Sequence, residues 1–444
     1  MIQQSDRHQI FVIGGGAGGF ELVTKLGRHL GKRGLADVTL VDTQLSHIWK
    51  PLLHEVASGT LNAHEDELNY LFYASHNHFR FRLGALEGLD RTNKTITISP
   101  SYDDEGNEFI PRRIFAYDTL VICIGSLTND FGVPGVLEHC AFLDTREQAD
   151  RFHRDLLKNV YAANVQSEPL RPGQLHIAVA GAGATGVELA AELHSATRQL
   201  AAFGLDRVNP EHDVKIHLIE GADRILPGLP PQISERTARV LAKINVNIIA
   251  GERITQATAE GFQTDRGRFV PAEIKVWAAG IKAPDVLRDL DGLESNRANQ
   301  LIVRPTLQTT RDDNIFAFGD CAACPMQGSE GTVPPRAQAA HQQASVLLKS
   351  ITRHVGGHSN LPSYVYKDFG SLINLSHHST IGNLMGNLMG KQTGTVFMEG
   401  LLARMAYLSL YKMHLLAIQG WWRVALTTFA NVLTRGIKPR LKLH

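Results

Sequence analysis

A strand-length run, Gln9-Ile-Phe-Val-Ile13, opens directly onto Gly14-Gly-Gly16-Ala-Gly-Gly19, and no other stretch restricts the fold as much. β-Branched and aromatic residues suit a buried strand, and the glycines stand at G-x-G-x-x-G spacing. Gly14 permits a tight turn, Gly16 lets backbone approach a pyrophosphate, and Gly19 lets the next helix pack on the strand. That helix would turn its unpaired N–H groups and positive dipole end toward phosphate. Residues Asp37 to Asp42 read as a second strand ending on an acid that can hold ribose hydroxyls. One glycine triad is weak evidence. Strand, triad, helix and acid-tipped strand in order point to a dinucleotide site.

The unit then occurs a second time. His176 to Ala180 leads into Gly181-Ala-Gly183-Ala-Thr185-Gly186, and the run from Val214 ends on Glu220. Two such units predict an α/β fold with two Rossmann-like dinucleotide-binding domains, and two nucleotide folds in one chain imply electron transfer between two cofactors. Glu220 favours a free 2′-hydroxyl, hence NAD(H), although Arg224 four residues on keeps a 2′-phosphate open. Ile274 to Gly280 echoes the apolar run from Tyr117 to Gly125, so the whole half-domain is repeated. Glu188 reads either as a group approaching the nicotinamide or as an acid capping the second helix.

Between the units, Lys50-Pro51 begins a helical segment carrying His54 and Glu55. Short strands are expected at Phe79 to Leu83 and Lys94 to Ile98, a hairpin around Tyr102 to Asn107, and a linker over Ala163 to Gly173. The chain returns to its first domain through Asn314 to Asp320, a strand ending in Gly-Asp suited to ribityl hydroxyls. Pro334 and Pro335 then mark a helix start, and Gln338 and Gln342 share one helix face, offering amides to a quinone carbonyl or a flavin edge.

The formal charge of +1 conceals an asymmetry: residues 400–444 hold seven Lys/Arg and no acid, against 38 Lys/Arg and 44 acids in the preceding 399. The body carries no basic patch for nucleic acid. The first strand begins by residue 9, so no signal peptide is expected ahead of it. Four cysteines, Cys123, Cys140, Cys321 and Cys324, suit a reducing compartment. The Cys321-x-x-Cys324 pair lacks a second pair at zinc spacing and reads as small buried thiols. With no cysteine before position 123, dithiol chemistry at the first domain is not expected. His76, His78, His377 and His378 lack partners at ligand spacing, so no metal is assigned.

In order along the chain, Ile13 to Gly19, Lys50 to Ala57, Gly181 to Glu188, Val276 to Ile281, Phe318 to Asp320 and Ala337 to Gln342 resemble the bacterial type II NADH:quinone oxidoreductases. The last stretch is similar to that family's A-Q-x-x-x-Q quinone signature, and the C-terminal end resembles the enterobacterial branch. The resemblance implies that Gly14, Gly16, Gly19, Asp42 and Asp320 hold FAD, with Lys50, Gly125, Ala337 and Gln338 beside them. It implies that Gly181, Gly183, Thr185, Gly186, Glu220 and Gly280 hold NADH, and that Gln338 and Gln342 border a quinone (ubiquinone or menaquinone). Glu188 joins them as a catalytic candidate, with Glu55 or His54 in a proton path. Asp42 stands where many relatives carry Glu. A sulfide:quinone reductase shares the architecture but needs a distal cysteine, which nothing after Cys324 supplies. An NADH-sensing membrane signalling protein of low turnover is the non-enzymatic alternative. The corresponding division is 1–165 and 301–360 for FAD, 174–300 for NADH, and 361–444 for the quinone site and membrane association.

A prenylated quinone resides in a bilayer, yet no stretch offers the ~18–20 uninterrupted apolar residues of a spanning helix. Residues 400–423 instead read as helical, with Arg404, Lys412, Gln419 and Arg423 in one narrow polar stripe and Trp421 and Trp422 at the end. Such a helix suits the headgroup boundary. The expectation is a peripheral, monotopic protein on the cytoplasmic face of a bacterial inner membrane, its tail split by Gly420. A homodimer through the same apolar surface is the competing expectation, alongside a core helix.

Overall fold

The computed structural model describes residues 6–61, 67–103, 105–202, 207–328, 330–386 and 393–434. Two parallel sheets organise it. The first runs in the order Ile315–Ala317, Thr119–Ile122, His8–Ile13, Ala36–Asp42, Arg80–Leu83, with every neighbouring pair parallel. Its central strand is buried on both faces, which explains the uninterrupted apolar run Ile10 to Ile13. The strand order reverses at His8–Ile13, so a crevice opens beyond its carboxyl end. The second sheet runs Val246–Ala250, Lys215–Glu220, His176–Ala180, Ile274–Trp277, again all parallel. The echo between Tyr117–Gly125 and Ile274–Gly280 is thus structural: Thr119–Ile122 and Ile274–Trp277 each flank their unit's first strand on the side away from the acid-tipped one.

Helices follow each glycine turn, Ala17–Leu26 and Ala184–Ala202. The return strand Ile315–Ala317 pairs with Thr119–Ile122, as its position after the second unit requires. The hairpin at 102–107 is present, Ser101–Tyr102 pairing antiparallel with Glu108–Ile110. The expected linker over 163–173 is irregular from residue 166 on but not at its first three residues. The helix Arg146–Val165 continues through Ala163, Asn164 and Val165, because Ala149, Phe152, Leu156, Val160 and Ala163 keep a buried stripe at helical spacing. A Thr145–Gln148 capping box starts that helix.

A three-stranded antiparallel sheet, Gly370–Leu375, Ser379–Gly386 and Thr393–Glu399, covers the second unit and contributes Ile373, Leu375 and Ile381 to its core. Two helices end the described chain, Leu401–Gln419 and Trp421–Thr434, broken at Gly420, whose φ is 82°. Leu415, Ile418 and Val424 enter the core of the first unit. The core-helix expectation therefore holds for one face. The other exposes Leu401, Met405, Met413, Trp421, Leu426 and Phe429. The polar stripe does not form a free cationic edge. Arg404 and Lys412 are half-buried, Arg404 lying near Glu192, while Gln419 bonds the Tyr73 hydroxyl and Arg423 lies 5.4 Å above the Phe72 ring. The four basic residues from Arg435 onward fall outside the described residues.

Candidate active site

The two glycine turns share one hydrogen-bond pattern. Gly14 N–H donates to the Val41 carbonyl at 2.8 Å and Gly15 N–H to Asp42 Oδ2 at 2.5 Å. Gly181 N–H donates to the Ile219 carbonyl at 2.8 Å and Ala182 N–H to Glu220 Oε2 at 2.8 Å. Each acid's second oxygen accepts from the residue two further on, Gln44 or Ala222. Both carboxylates are thus locked to their glycine loops before any ribose arrives. Burial raises the pKa of Asp42, and the Gly15 and Gln44 N–H bonds oppose that rise.

The spacing of the glycines has a steric meaning that both units repeat. Gly14 and Gly181 have φ of 106° and 93°, a region that disfavours side chains. A Cβ on Gly19 would stand 1.9 Å from the Gly14 carbonyl oxygen, and one on Gly186 1.9 Å from that of Gly181. A Cβ on Gly16 or Gly183, however, would meet nothing within 4 Å. Those two positions face open space at a helix N-terminus, which is the room and polarity a pyrophosphate needs. The residues present therefore fit two dinucleotides. Thr185 is exposed at the start of the second helix, and Gly280, with φ of 65°, ends the loop after Ile274–Trp277. Arg224 is spent on the carbonyls of Leu226, Pro227 and Leu229, which closes the competing use of its guanidinium that the sequence left open.

Around the first cradle, Asp320 lies in the turn after Ile315–Ala317 and accepts from Ser126 Oγ at 2.9 Å. Lys50 Nζ donates to the Ser126 carbonyl at 2.7 Å and to Asp144 Oδ1 at 3.1 Å. Gly125, with φ of 72°, again has open space where a Cβ would stand. Lys50, Gly125 and Asp320 thus converge, though 270 positions separate the first from the last. Ser126 and Asp144 belong to the same group and were missed; Asp144 follows an ordinary apolar stretch and carries no signal in the sequence. Cys321 is buried with its Sγ toward the Ile122 and Phe318 carbonyls, and loss of solvent pushes its pKa up to about 12.

Gln338 and Gln342 do share a face of the helix Ala337–Val355, which begins at Ala337. Their amides are not displayed to an open site. Gln338 accepts from Phe369 N–H at 3.0 Å and donates to Asp368 Oδ1 and the Gly370 carbonyl. Gln342 exchanges both its bonds with the Lys367 backbone. The pair fastens the segment 367–370 beside the helix.

Glu188 is buried and caps nothing, since the first turn of its helix holds no acid. It accepts from Asn374 N–H at 2.9 Å, and its Oε2 lies 3.9 Å from His54 Nδ1. Burial lifts its pKa to about 8; the Asn374 bond opposes the lift, and Glu55 and Glu192 add to it. Glu192, one helical turn on, and Tyr407 from the C-terminal helix complete this group. Neither was legible, because their proximity arises only when three distant helices meet. His378, which lacked a partner in the sequence, lies 3.1 Å from His194 Nδ1.

A second set of rings ties the C-terminal helix to the first cradle. His47 Nδ1 lies 2.9 Å from the Gly15 carbonyl, and its Nε2 is 2.9 Å from His414 Nε2. Tyr70 donates to the same Gly15 carbonyl at 2.7 Å, while Trp49 stacks on His414 and Tyr411. Burial lowers the His47 pKa to about 4 and holds His414 low as well, so both rings are neutral at pH 7.

A family model described as pyridine nucleotide-disulphide oxidoreductase matches residues 8–344. The type II NADH:quinone oxidoreductase of Haemophilus influenzae is 40% identical, with 98% of this chain and 99% of the relative covered. That of Staphylococcus aureus is 28% identical over 87% of this chain and 92% of its own length. The solved NDH2 of Plasmodium falciparum in complex with NADH has the same fold, at a TM-score of 0.81 and 20% identity, covering 98% of this chain and 100% of that one.

Proposed function

The chain belongs to the pyridine nucleotide-disulphide oxidoreductase family, within its type II NADH:quinone oxidoreductases, and on that premise we propose the roles of its residues. It is a flavoprotein oxidoreductase that moves electrons from NADH to a quinone. Gly14, Gly16, Gly19 and Asp42, with Lys50, Gly125, Ala337, Gln338 and Asp320, hold FAD. Gly181, Gly183, Thr185, Gly186, Glu220 and Gly280 hold NADH. Bound FAD supplies the hydride acceptor and the two-electron donor. The division of labour is 1–165 and 301–360 for FAD, 174–300 for NADH and 361–444 for quinone and membrane.

The observation that carries this reading is the repeated cradle, with the same donors, the same acid-tipped strand and the same open position at Gly16 and Gly183. Glu220 orients the second nucleotide's ribose and disfavours a 2′-phosphate by charge. Gln338 and Gln342 border the quinone through the 367–370 wall that they hold in place. Glu188, kept protonated near neutral pH by burial and bonded to Asn374 N–H in the strand that follows that wall, is the proton-bearing group we assign to the quinone.

The bilayer is reached by the C-terminal helices. Among the described residues no helix is long and apolar enough to cross a membrane. Trp421 and Trp422, 70% and 65% exposed, flank an outward apolar face, while Arg423 is exposed at the same end. This arrangement supports docking in the plane of the interface; the cytoplasmic face of a bacterial inner membrane is the side we assign to it. The apolar face also permits a homodimer in the absence of lipid. The test is NADH oxidation with a soluble quinone, comparing NADPH, in wild type and Gln338→Ala. Equal rates with both nucleotides would remove the role given to Glu220, and unchanged quinone kinetics would remove that given to Gln338.

A further inference from the structure

We propose that His54, Glu55 and Glu192 form a site for one divalent transition-metal ion with the chemistry of Zn²⁺, at the junction of the two nucleotide units. The site does not depend on the electron-transfer reading. His54 and Glu55 lie on the helix Leu53–Ser58, and Glu192 on Ala184–Ala202. One ligand atom from each residue lies within 4.8 Å of the others. Zinc holds carboxylate oxygen and imidazole nitrogen at about 2.0–2.2 Å, which sets ligand edges near 3.5 Å. Closing from 4.8 Å requires side chains to draw in by roughly 1 Å, within the reach of carboxylate rotation.

The imidazole is the observation that points to a ligand. His54 is 3% exposed, yet its Nε2 has no hydrogen-bond partner and stands 3.9 Å from Glu55 Oε1. A buried ring nitrogen without a partner is costly unless something fills that direction. The ring's one hydrogen bond goes to the Pro51 carbonyl. With Nε2 bare, that bond belongs to Nδ1–H, so the lone pair is on Nε2. A backbone carbonyl behind the ring is the usual support for a metal-binding histidine.

Glu192 has comparable support. Thr60 Oγ1 donates to its Oε2 at 3.2 Å, and Ser376 bonds the same carboxylate. The Tyr407 hydroxyl, which faces these acids, is a second buried polar group with no partner. Three carboxyl groups, Glu55, Glu188 and Glu192, gather here, with Arg404 as the cation interacting with Glu192. With Glu188 protonated by its burial, Glu55 and Glu192 are the two carboxyl groups beside the bare imidazole nitrogen that a dication would draw together. An imidazole in the set favours a borderline ion over Mg²⁺ or Ca²⁺, which take oxygen ligands.

The test uses the full chain with FAD bound, freed of metal by chelator and titrated with ZnCl₂ by calorimetry, with metal content read by mass spectrometry. We expect one zinc per chain that MgCl₂ does not displace, and an absorption-edge spectrum with one imidazole and carboxylate oxygens. Glu192→Gln and His54→Gln should each weaken that site by at least about tenfold, and Thr60→Val by a smaller factor. His378→Ala, at the separate His194–His378 pair, should leave it unchanged. If His54→Gln loses FAD, Glu192→Gln decides alone. Equal zinc affinity in wild type and Glu192→Gln, with FAD content and Tm retained, overturns the site, as does a zinc lost with His378→Ala.

Discussion

Gly183 and Gly186 stand three residues apart in one loop, and the fold predicts opposite fates for the same methyl group added at each. At Gly183 a Cβ meets nothing within 4 Å, and its φ is not positive, so Gly183→Ala fits the empty protein. Restricting the unfolded chain then stabilises the fold by about 0.4–1 kcal/mol. The added methyl occupies the space proposed for the NADH pyrophosphate, where overpacking costs about 1–3 kcal/mol. That converts to a rise in NADH KM of roughly 5- to 150-fold, from 1.4 kcal/mol per factor of ten. At Gly186 the methyl would stand 1.9 Å from the Gly181 carbonyl oxygen. Backbone there cannot yield as a flexible side chain would, so Gly186→Ala lowers Tm and loses soluble protein. The assay pairs thermal unfolding and FAD content with KM for NADH and, separately, for a soluble quinone. Gly183→Ala should raise only the NADH KM. An unchanged NADH KM in a folded Gly183→Ala protein, or unfolding equal to that of Gly186→Ala, would refute the steric argument.

Three other outcomes follow from particular contacts. His47 is neutral in the fold with its pKa lowered from 6.5 to about 4, so the unfolded chain binds the proton first. Stability is complete above pH 6.5 and falls as pH drops toward 4, by on the order of 3 kcal/mol; His47→Gln should flatten this part of the pH–Tm curve, and an unaltered slope would show that the ring titrates normally. Gln338→Ala removes three bonds to the 367–370 segment, each worth about 0.5–1.5 kcal/mol net, and should raise the quinone KM while leaving the NADH KM alone. Replacing Trp421 and Trp422 by Ser should weaken sedimentation with anionic vesicles by at least about tenfold without changing turnover of a soluble quinone, since both rings lie outward. Vesicle binding that survives this double change would transfer the docking role to another surface.

The nucleotide-binding halves were readable because their determinants are local. A glycine triad, the strand before it and the acid-tipped strand after it are set by steric rules acting within a few dozen residues. Gly14 to Asp42 and Gly181 to Glu220 therefore appear in the structure with matching hydrogen bonds. The prolines before Ala337 and the glycine at 420 marked helix ends for the same local reason. The linker at 163–173 failed on its first three residues because a buried helical stripe outweighed turn-forming composition.

Composition and spacing determined that this chain holds two Rossmann-type units, a returning strand and an apolar, basic tail. Only the tertiary structure decided that Gln338 and Gln342 spend their amides on the 367–370 segment, and that Arg404 and Gln419 of the tail's polar stripe turn toward the body while Arg423 stays exposed. It alone brought His54, Glu55, Glu188, Glu192 and Tyr407 to one buried place, and His414 onto His47. The physical reason is range: turn sterics and helix periodicity act between near neighbours. Buried charge, orphaned ring nitrogens and the pKa of Glu188 depend on residues more than a hundred positions apart, whose meeting no spacing encodes.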